Sequence, residues 1–130
     1  MVTDNAFRFG VCVFIVCLAL LLVGRASATE RCGKASWYGL TGITASGEKS
    51  NPKGFTAAHR SLPFGTRVAV ENLRNGRMVH VRVNDRGPHR SGRIIDVTRR
   101  AAAELGFLRT GVAPVRITIP GQSDLLEDNC

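Results

Sequence analysis

The sequence predicts a small, mainly β domain: a short-stranded barrel with one brief helix. Three observations predict it. Short apolar segments alternate with polar residues at close spacing. An Asn-Gly pair separates two of them. One helix-like stretch is bracketed by a capping Thr and a stopping Gly.

Ala35 to Tyr38 reads as a first strand, followed by a loop rich in Gly, Ser and Thr from Gly39 to Gly54. Phe55 to Ala58 resumes an ordered stretch, and Pro63 and Gly65 punctuate the chain before the clearest element. That element is a hairpin, Val68 to Leu73 and Met78 to Val83. A two-residue type I′ loop at Asn75-Gly76, where both residues need positive φ, would set Val70 against Val81 and Val68 against Val83. Glu71 would then oppose His80, with Arg82 on the diagonal. Alternation puts the valines on one face and Ala69, Glu71, His80 and Arg82 on the other. Ile94 to Val97 is a brief apolar strand. Thr98 can cap a helix to Glu104 or Leu105 that buries Ala101, Ala102 and Leu105, with Gly106 as its stop. Val115, Ile117 and Ile119 alternate in a last strand that Pro114 opens.

The first 28 residues read as a signal peptide rather than part of the fold. An apolar run from Phe9 to Val23 ends in Ala26-Ser27-Ala28, the small-x-small pattern of a cleavage site. The run falls short of the about 20 apolar residues of a spanning helix. Valine precedes both Cys12 and Cys17, which disfavours lipid attachment, so no stable membrane anchor is expected. Residues 29–130 then form one small domain, with no room for a second. Two cysteines remain in it, Cys32 and Cys130, and an oxidising compartment suggests one bridge between them over two unpaired thiols. In the chain-entropy picture a loop of that length contributes up to about 4 to 5 kcal/mol. The 29–130 segment carries 16 Arg and Lys against 9 Asp and Glu. Export argues against nucleic acid as the partner of this basic surface and for anionic wall polymers or lipid head groups.

Among candidate chemical groups, Asp85 continues the parity of Val79, Val81 and Val83, which would place it inward at a strand end, at a barrel mouth. Partial desolvation there suits a general acid, although an Asp at such a position can equally cap a turn. Glu48 is the only acid between Glu30 and Glu71, and the small residues of Thr44-Ala45-Ser46-Gly47 leave a ligand room to approach it. A solvated loop glutamate is the plainer alternative. His59 follows Ala57 and Ala58 and could position a substrate or serve structurally. Asp96 follows two isoleucines, as a hydrogen-bonded structural acid does. Trp37 and Tyr38 point to opposite faces of their strand: one packs in the core, and the other can offer a flat surface to a sugar ring or pack in the barrel's other layer. His59, His80 and His89 lack metal-ligand spacing, and no metal or cofactor is expected. Phosphate-binding glycine loops and nucleophile elbows are likewise missing from the sequence.

Six motifs in order make a recognisable set: Ala35-Ser36-Trp37-Tyr38-Gly39, Thr44 to Glu48, Thr56-Ala57-Ala58-His59, Leu62-Pro63-Phe64-Gly65-Thr66, Val83-Asn84-Asp85-Arg86-Gly87-Pro88 and Gly92-Arg93-Ile94-Ile95-Asp96. Together they resemble the rare lipoprotein A family of lytic transglycosylases, from about Gly33 to Ile119. The resemblance implies a six-stranded double-psi β-barrel with an open polysaccharide groove. The family's functional Glu, His and Asp fall on Glu48, His59 and Asp85, and Asp96 stands where expansin-like relatives carry a groove acid. The chain departs from the family in a shorter Gly39–Thr44 stretch, in Ser50 and Asn51, and in His89.

The implied activity is endolytic cleavage of peptidoglycan glycan strands, stripped of stem peptides, to 1,6-anhydro-muramyl ends. The implied setting is the periplasm or envelope of a bacterium, and a monomer is expected. Asp85 would be the acid/base, Glu48 a stabiliser of developing positive charge or a partner in proton traffic, and His59 a substrate-orienting group. Arg60, Arg86 and Arg93, each beside a motif acid or histidine, would line a cationic groove with Asp96, Trp37 and Tyr38. The alternative is a non-catalytic, expansin-like module that binds wall polysaccharide.

Overall fold

The computed structural model describes residues 31–121 and Cys130. The expected signal segment, 1–28, lies outside the described residues. Six strands and one helix follow in order: β1 (Cys32–Tyr38), β2 (Thr56–Ala58), β3 (Arg67–Asn72), β4 (Met78–Asp85), β5 (Arg93–Thr98), α1 (Arg99–Leu105) and β6 (Val112–Thr118). The strands close into a barrel in the order β1-β5-β2-β4-β3-β6. The β1–β5 and β2–β4 pairs are parallel; the remaining pairs are antiparallel. Closure leaves no sheet edge to template further pairing.

Alternation fills the barrel. Ala35, Ala57, Val68, Val70, Val83, Ile95, Val97 and Val115 are fully buried, and α1 closes the core with Ala101, Ala102 and Leu105. The helix begins and ends as its sequence dictates. The Thr98 hydroxyl accepts from the Ala101 N–H at 3.4 Å, and Gly106 takes the left-handed φ of 79° at the C-cap. Trp37 shares the parity of Ala35 and packs against the core, its indole N–H donating to the Leu108 carbonyl at 3.2 Å.

Two expectations for the hairpin change. Val68 pairs with Val81 and Val70 with Val79, a register two residues away from the one expected. No non-glycine residue has positive φ among the described residues, so Asn75 does not take the conformation a type I′ loop requires. The turn is longer instead. The Asn72 N–H donates to the Arg77 carbonyl at 2.8 Å, the Asn72 carboxamide oxygen accepts from Arg74 N–H, and only Gly76 reaches a φ of 73°. The longer turn lets the Asn72 and Asn75 side-chain amides both donate to the Leu105 carbonyl at 2.9 Å, tying the hairpin to the end of α1. A two-residue slip preserves side-chain parity, so the valines still face inward. Glu71 faces Met78 rather than His80, and its ion pair is with Arg116 of β6 at 3.1 Å. The last strand also begins earlier than expected. Pro114 lies within β6, one residue before Val115, where it pairs with Lys34 of β1 and its carbonyl accepts from the Leu73 N–H at 3.0 Å.

Cys32 and Cys130 form a disulfide with a Cα–Cα separation of 5.6 Å, bridging 98 positions. Among the described residues no helix is long and apolar enough to cross a membrane.

Two stability predictions follow from these contacts. Asn72 is 2% exposed and serves both turn and helix, so Asn72→Ala should cost about 1 to 3 kcal/mol, read as a lower thermal midpoint. Reducing the Cys32–Cys130 bridge should lower that midpoint by at least about 5 °C. Identical peptide maps with and without reductant would contradict the bridge.

Candidate functional site

The site is built across four neighbouring strands. Ser36 of β1 pairs with Asp96 of β5, Asp96 with Ala58 of β2, and Ala58 with Asp85 of β4. Partners in register share a face, so these four residues form one row across the outside of the barrel. Asp96 and Asp85 stand two strand spacings apart, about 10 Å at the backbone, with the methyl group of Ala58 as the floor between them.

Asp85 reaches this row through a bulge. The β2–β4 register shifts between Ala57 and Ala58, so that Ala57 pairs with Val83 and Ala58 with Asp85. Asn84 is the extra residue and is 1% exposed. The inward parity expected for Asp85 therefore fails: the bulge inverts it and brings the half-buried carboxylate onto the outer face of the barrel. One oxygen, Oδ1, accepts from the Arg86 N–H at 2.8 Å and from the Ala45 N–H at 3.0 Å. The other, Oδ2, has no partner among the described residues. One carboxylate thus caps its own turn through Oδ1 and keeps Oδ2 open.

The Thr44–Glu48 turn is laid over the bulge. Ser46 N–H donates to the Asn84 carbonyl at 3.2 Å, and Thr44 N–H to the Glu48 carbonyl at 2.8 Å. Glu48 meets Arg82 of β4 in a two-pronged ion pair, with N···O distances of 2.6 and 2.8 Å. The Arg82 hydrogen bond, and then its charge, hold the Glu48 carboxyl below its usual range despite slight desolvation; the Asn84 side chain helps. The ion pair thus favours the charged form of Glu48.

Tyr38 shares the face of Ser36, which donates a short hydrogen bond to Asp96 Oδ1. The Tyr38 hydroxyl is buried and has no hydrogen-bond partner among the described residues. Burial pushes its pKa up; the Thr56 hydroxyl nearby opposes the rise, while the charges of Asp85, Asp96 and Glu48 add to it. The phenol is thus a neutral donor among three carboxylates.

The remaining predicted residues take supporting positions. His59 is 5% exposed, and its Nδ1 accepts from the Ser61 and Leu62 N–H groups at 3.1 Å each, which leaves the ring proton on Nε2. Its own N–H donates to the Asp85 carbonyl at 3.1 Å. Arg60 donates to the carbonyls of Pro88, Arg90 and Arg93. Arg86 donates to those of His59 and Leu62 and stacks 4.0 Å over the Phe64 ring. Both guanidinium groups thus brace the loops that flank Asp85. Arg93 begins β5 opposite Lys34, away from the acidic row. Trp37 lies on the core side.

Sequence reasoning missed Arg82 as the partner of Glu48, and Asn84 as the bulge. Outward alternation marked Arg82 as available; the six-residue stretch from Val83 to Pro88 carried no period that would expose the bulge. No group of His, Cys, Asp and Glu able to hold a metal occurs among the described residues.

Burial, followed by the charges of Arg60 and Arg86, lowers the His59 pKa below 6.5. Its stabilising contribution is therefore complete above about pH 6.5 and is lost as pH falls from there through the lower folded value. In an NMR titration the His59 ring should titrate below pH 6.5, and His59→Gln should flatten the acid side of the stability profile. A midpoint at or above 6.5 would contradict the burial.

Comparison with known proteins matches this arrangement to one family. The double-psi β-barrel family described as "Lytic transglycolase" covers residues 30–117. A "Probable endolytic peptidoglycan transglycosylase RlpA" from Nostoc sp. is 58% identical over 95 residues, which are 69% of this chain and 26% of that protein. An "Endolytic peptidoglycan transglycosylase RlpA" from Neisseria meningitidis is 49% identical over 102 residues, 75% of this chain and 43% of that one. The chain thus spans less than half the length of these relatives. Among solved structures, the Streptomyces papain inhibitor superposes with a TM-score of 0.56 at 24% identity, covering 72% of this chain and 97% of that one. The apo expansin of Clavibacter michiganensis gives 0.57 at 20%, covering 77% and 52%. These two likenesses bear on the fold alone. The six-stranded closed barrel, its sequence and its matched span together place this chain in the double-psi β-barrel family of RlpA-like lytic transglycosylases.

Proposed function

We propose that the chain is an exported enzyme that cuts peptidoglycan glycan strands internally, without water, to leave 1,6-anhydro-muramyl ends. The observation that carries this reading is the divided role of Asp85: Oδ1 held by two backbone N–H groups, Oδ2 open on the groove face.

Asp85 in its protonated form gives its proton to the glycosidic oxygen as the bond from that oxygen to the muramyl anomeric carbon breaks. The carboxylate then takes the proton of the same sugar's 6-hydroxyl as that oxygen bonds the anomeric carbon. The proton returns to Asp85, and the ledger of atoms closes with no water consumed. Glu48, kept charged by Arg82, stabilises the positive charge that develops on the sugar. Tyr38 and Asp96 supply a donor and an acceptor along the same row, and His59 acts by holding the turn behind Asp85. Residues 1–28 would direct export to the bacterial envelope, with the barrel acting as a monomer.

The test is a digest of peptidoglycan stripped of stem peptides by an amidase. Mass spectrometry should find internal cleavage and anhydro-muramyl products with the wild type, and a loss of at least about a hundredfold with Asp85→Asn. Binding to the glycan without any such product would support the expansin-like reading instead.

A further inference from the structure

Another part of the barrel's outside carries two rows of side chains across β4, β3, β6 and β1. In one row Met78 pairs with Glu71, Glu71 with Arg116, and Arg116 with Cys32. In the next, Leu73 bonds Pro114 through the backbone, Pro114 pairs with Lys34, and Lys34 pairs with Arg93 of β5. The turn between Leu73 and Met78 adds Arg74 and Arg77, both exposed. Met78 begins β4 and Asp85 ends it, so this hairpin end lies about 23 Å along the strand from the acidic row.

Leu73 is 38% exposed and Met78 53% exposed. They stand on a diagonal across the hairpin, near enough to form one apolar spot. Cations flank it. The only acid in the two rows, Glu71, is neutralised by Arg116. Lys34, Arg74, Arg77 and Arg93 make no ion pair among the described residues. Lys34 and Arg93 face each other directly, a repulsive arrangement that an external anion relieves. The turn itself is held in place: Asn72 and Asn75 donate to the Leu105 carbonyl, and the Arg77 guanidinium packs beside Gly106. A fixed turn loses little entropy on docking.

A soluble polyanion would satisfy the cations and leave Leu73 and Met78 in water. A bilayer surface with anionic head groups satisfies both, because it offers negative potential and an apolar boundary beneath it. We propose that this face docks the protein reversibly on an anionic lipid surface. Leu73 and Met78 seat at the head-group boundary, and Lys34, Arg74, Arg77 and Arg93 meet the anionic head groups. Two apolar tips and four cations make a weak, salt-sensitive attachment rather than an anchor. Docking needs no catalysis, and cleavage of a soluble glycan needs no docking, so this proposal and the catalytic one fail separately.

The test is co-sedimentation of the disulfide-bonded protein with vesicles. Vesicles of phosphatidylglycerol mixed with phosphatidylcholine should bind it, vesicles of phosphatidylcholine alone should not, and binding should fade at high salt. Lys34→Gln and Arg74→Gln should each weaken binding about fivefold. Arg99→Gln, at the far end of α1 from the hairpin, should leave it within about twofold. Leu73→Ser combined with Met78→Ser should weaken it at least about tenfold while leaving binding to inorganic polyphosphate unchanged. Both side chains are exposed, so the thermal midpoint should hold; Leu73→Ser alone, read in the same way, carries the test if the pair does not fold. Binding that ignores lipid charge, survives the serine substitutions, or falls as far with Arg99→Gln as with Arg74→Gln would overturn the proposal. So would an equal loss of polyphosphate binding in the serine variant.

Discussion

The parallel pairing of β2 with β4, offset by one residue at Asn84, is the constraint on which the groove depends. Up to Val83 the strand obeys strict alternation and fills the barrel with valines. At Asn84 the extra residue inverts parity. A side chain that alternation would have sent into an apolar interior emerges onto the outer face of the barrel. Burying an unpaired carboxylate in such a core would be prohibitive. The bulge thus reconciles a packed barrel with an acid at its surface. The Thr44–Glu48 turn then secures it through one bond to the Asn84 carbonyl and one to Asp85 itself.

Closure of the barrel supplies what the bulge needs. β2 is only three residues long, yet it is paired on both sides, by β4 and by β5. Its alanines permit this close company. Ala57 fits an interior already filled by Val83 and Val97, and Ala58 separates two acids without covering either. The arginines nearby act as clamps as much as charges. Arg60 and Arg86 gather carbonyls from the loops on either side of Asp85, where a hydrophobic contact alone would leave those polar groups unpaired.

Much of the barrel was legible in the sequence because its elements obey local rules. Thr98 and Gly106 bound the helix, and the valine alternation of β3 and β4 survives a two-residue error in register. The error itself came from reading Asn75-Gly76 as a two-residue turn. What decided the turn was nonlocal: the end of α1 offers a carbonyl that the asparagine side chains satisfy. The site divides in the same way. Glu48, His59 and Asp85 could be picked out by type, setting and family pattern. Their working geometry could not, because the ion pair of Glu48 with Arg82 spans 34 residues and the bulge has no periodic signature.

The unequal treatment of the two Asp85 oxygens has a consequence for what replaces them. Oδ1 is an acceptor for two N–H groups. An asparagine at this position can satisfy both only with its carbonyl oxygen there, because its amino group would face two donors. The amide is thereby oriented by the fold, with its NH2 at the site of Oδ2. The substitution keeps the turn, the bulge and the loop that leans on them. It exchanges one atom, turning an oxygen that can accept hydrogen bonds into a group that only donates them.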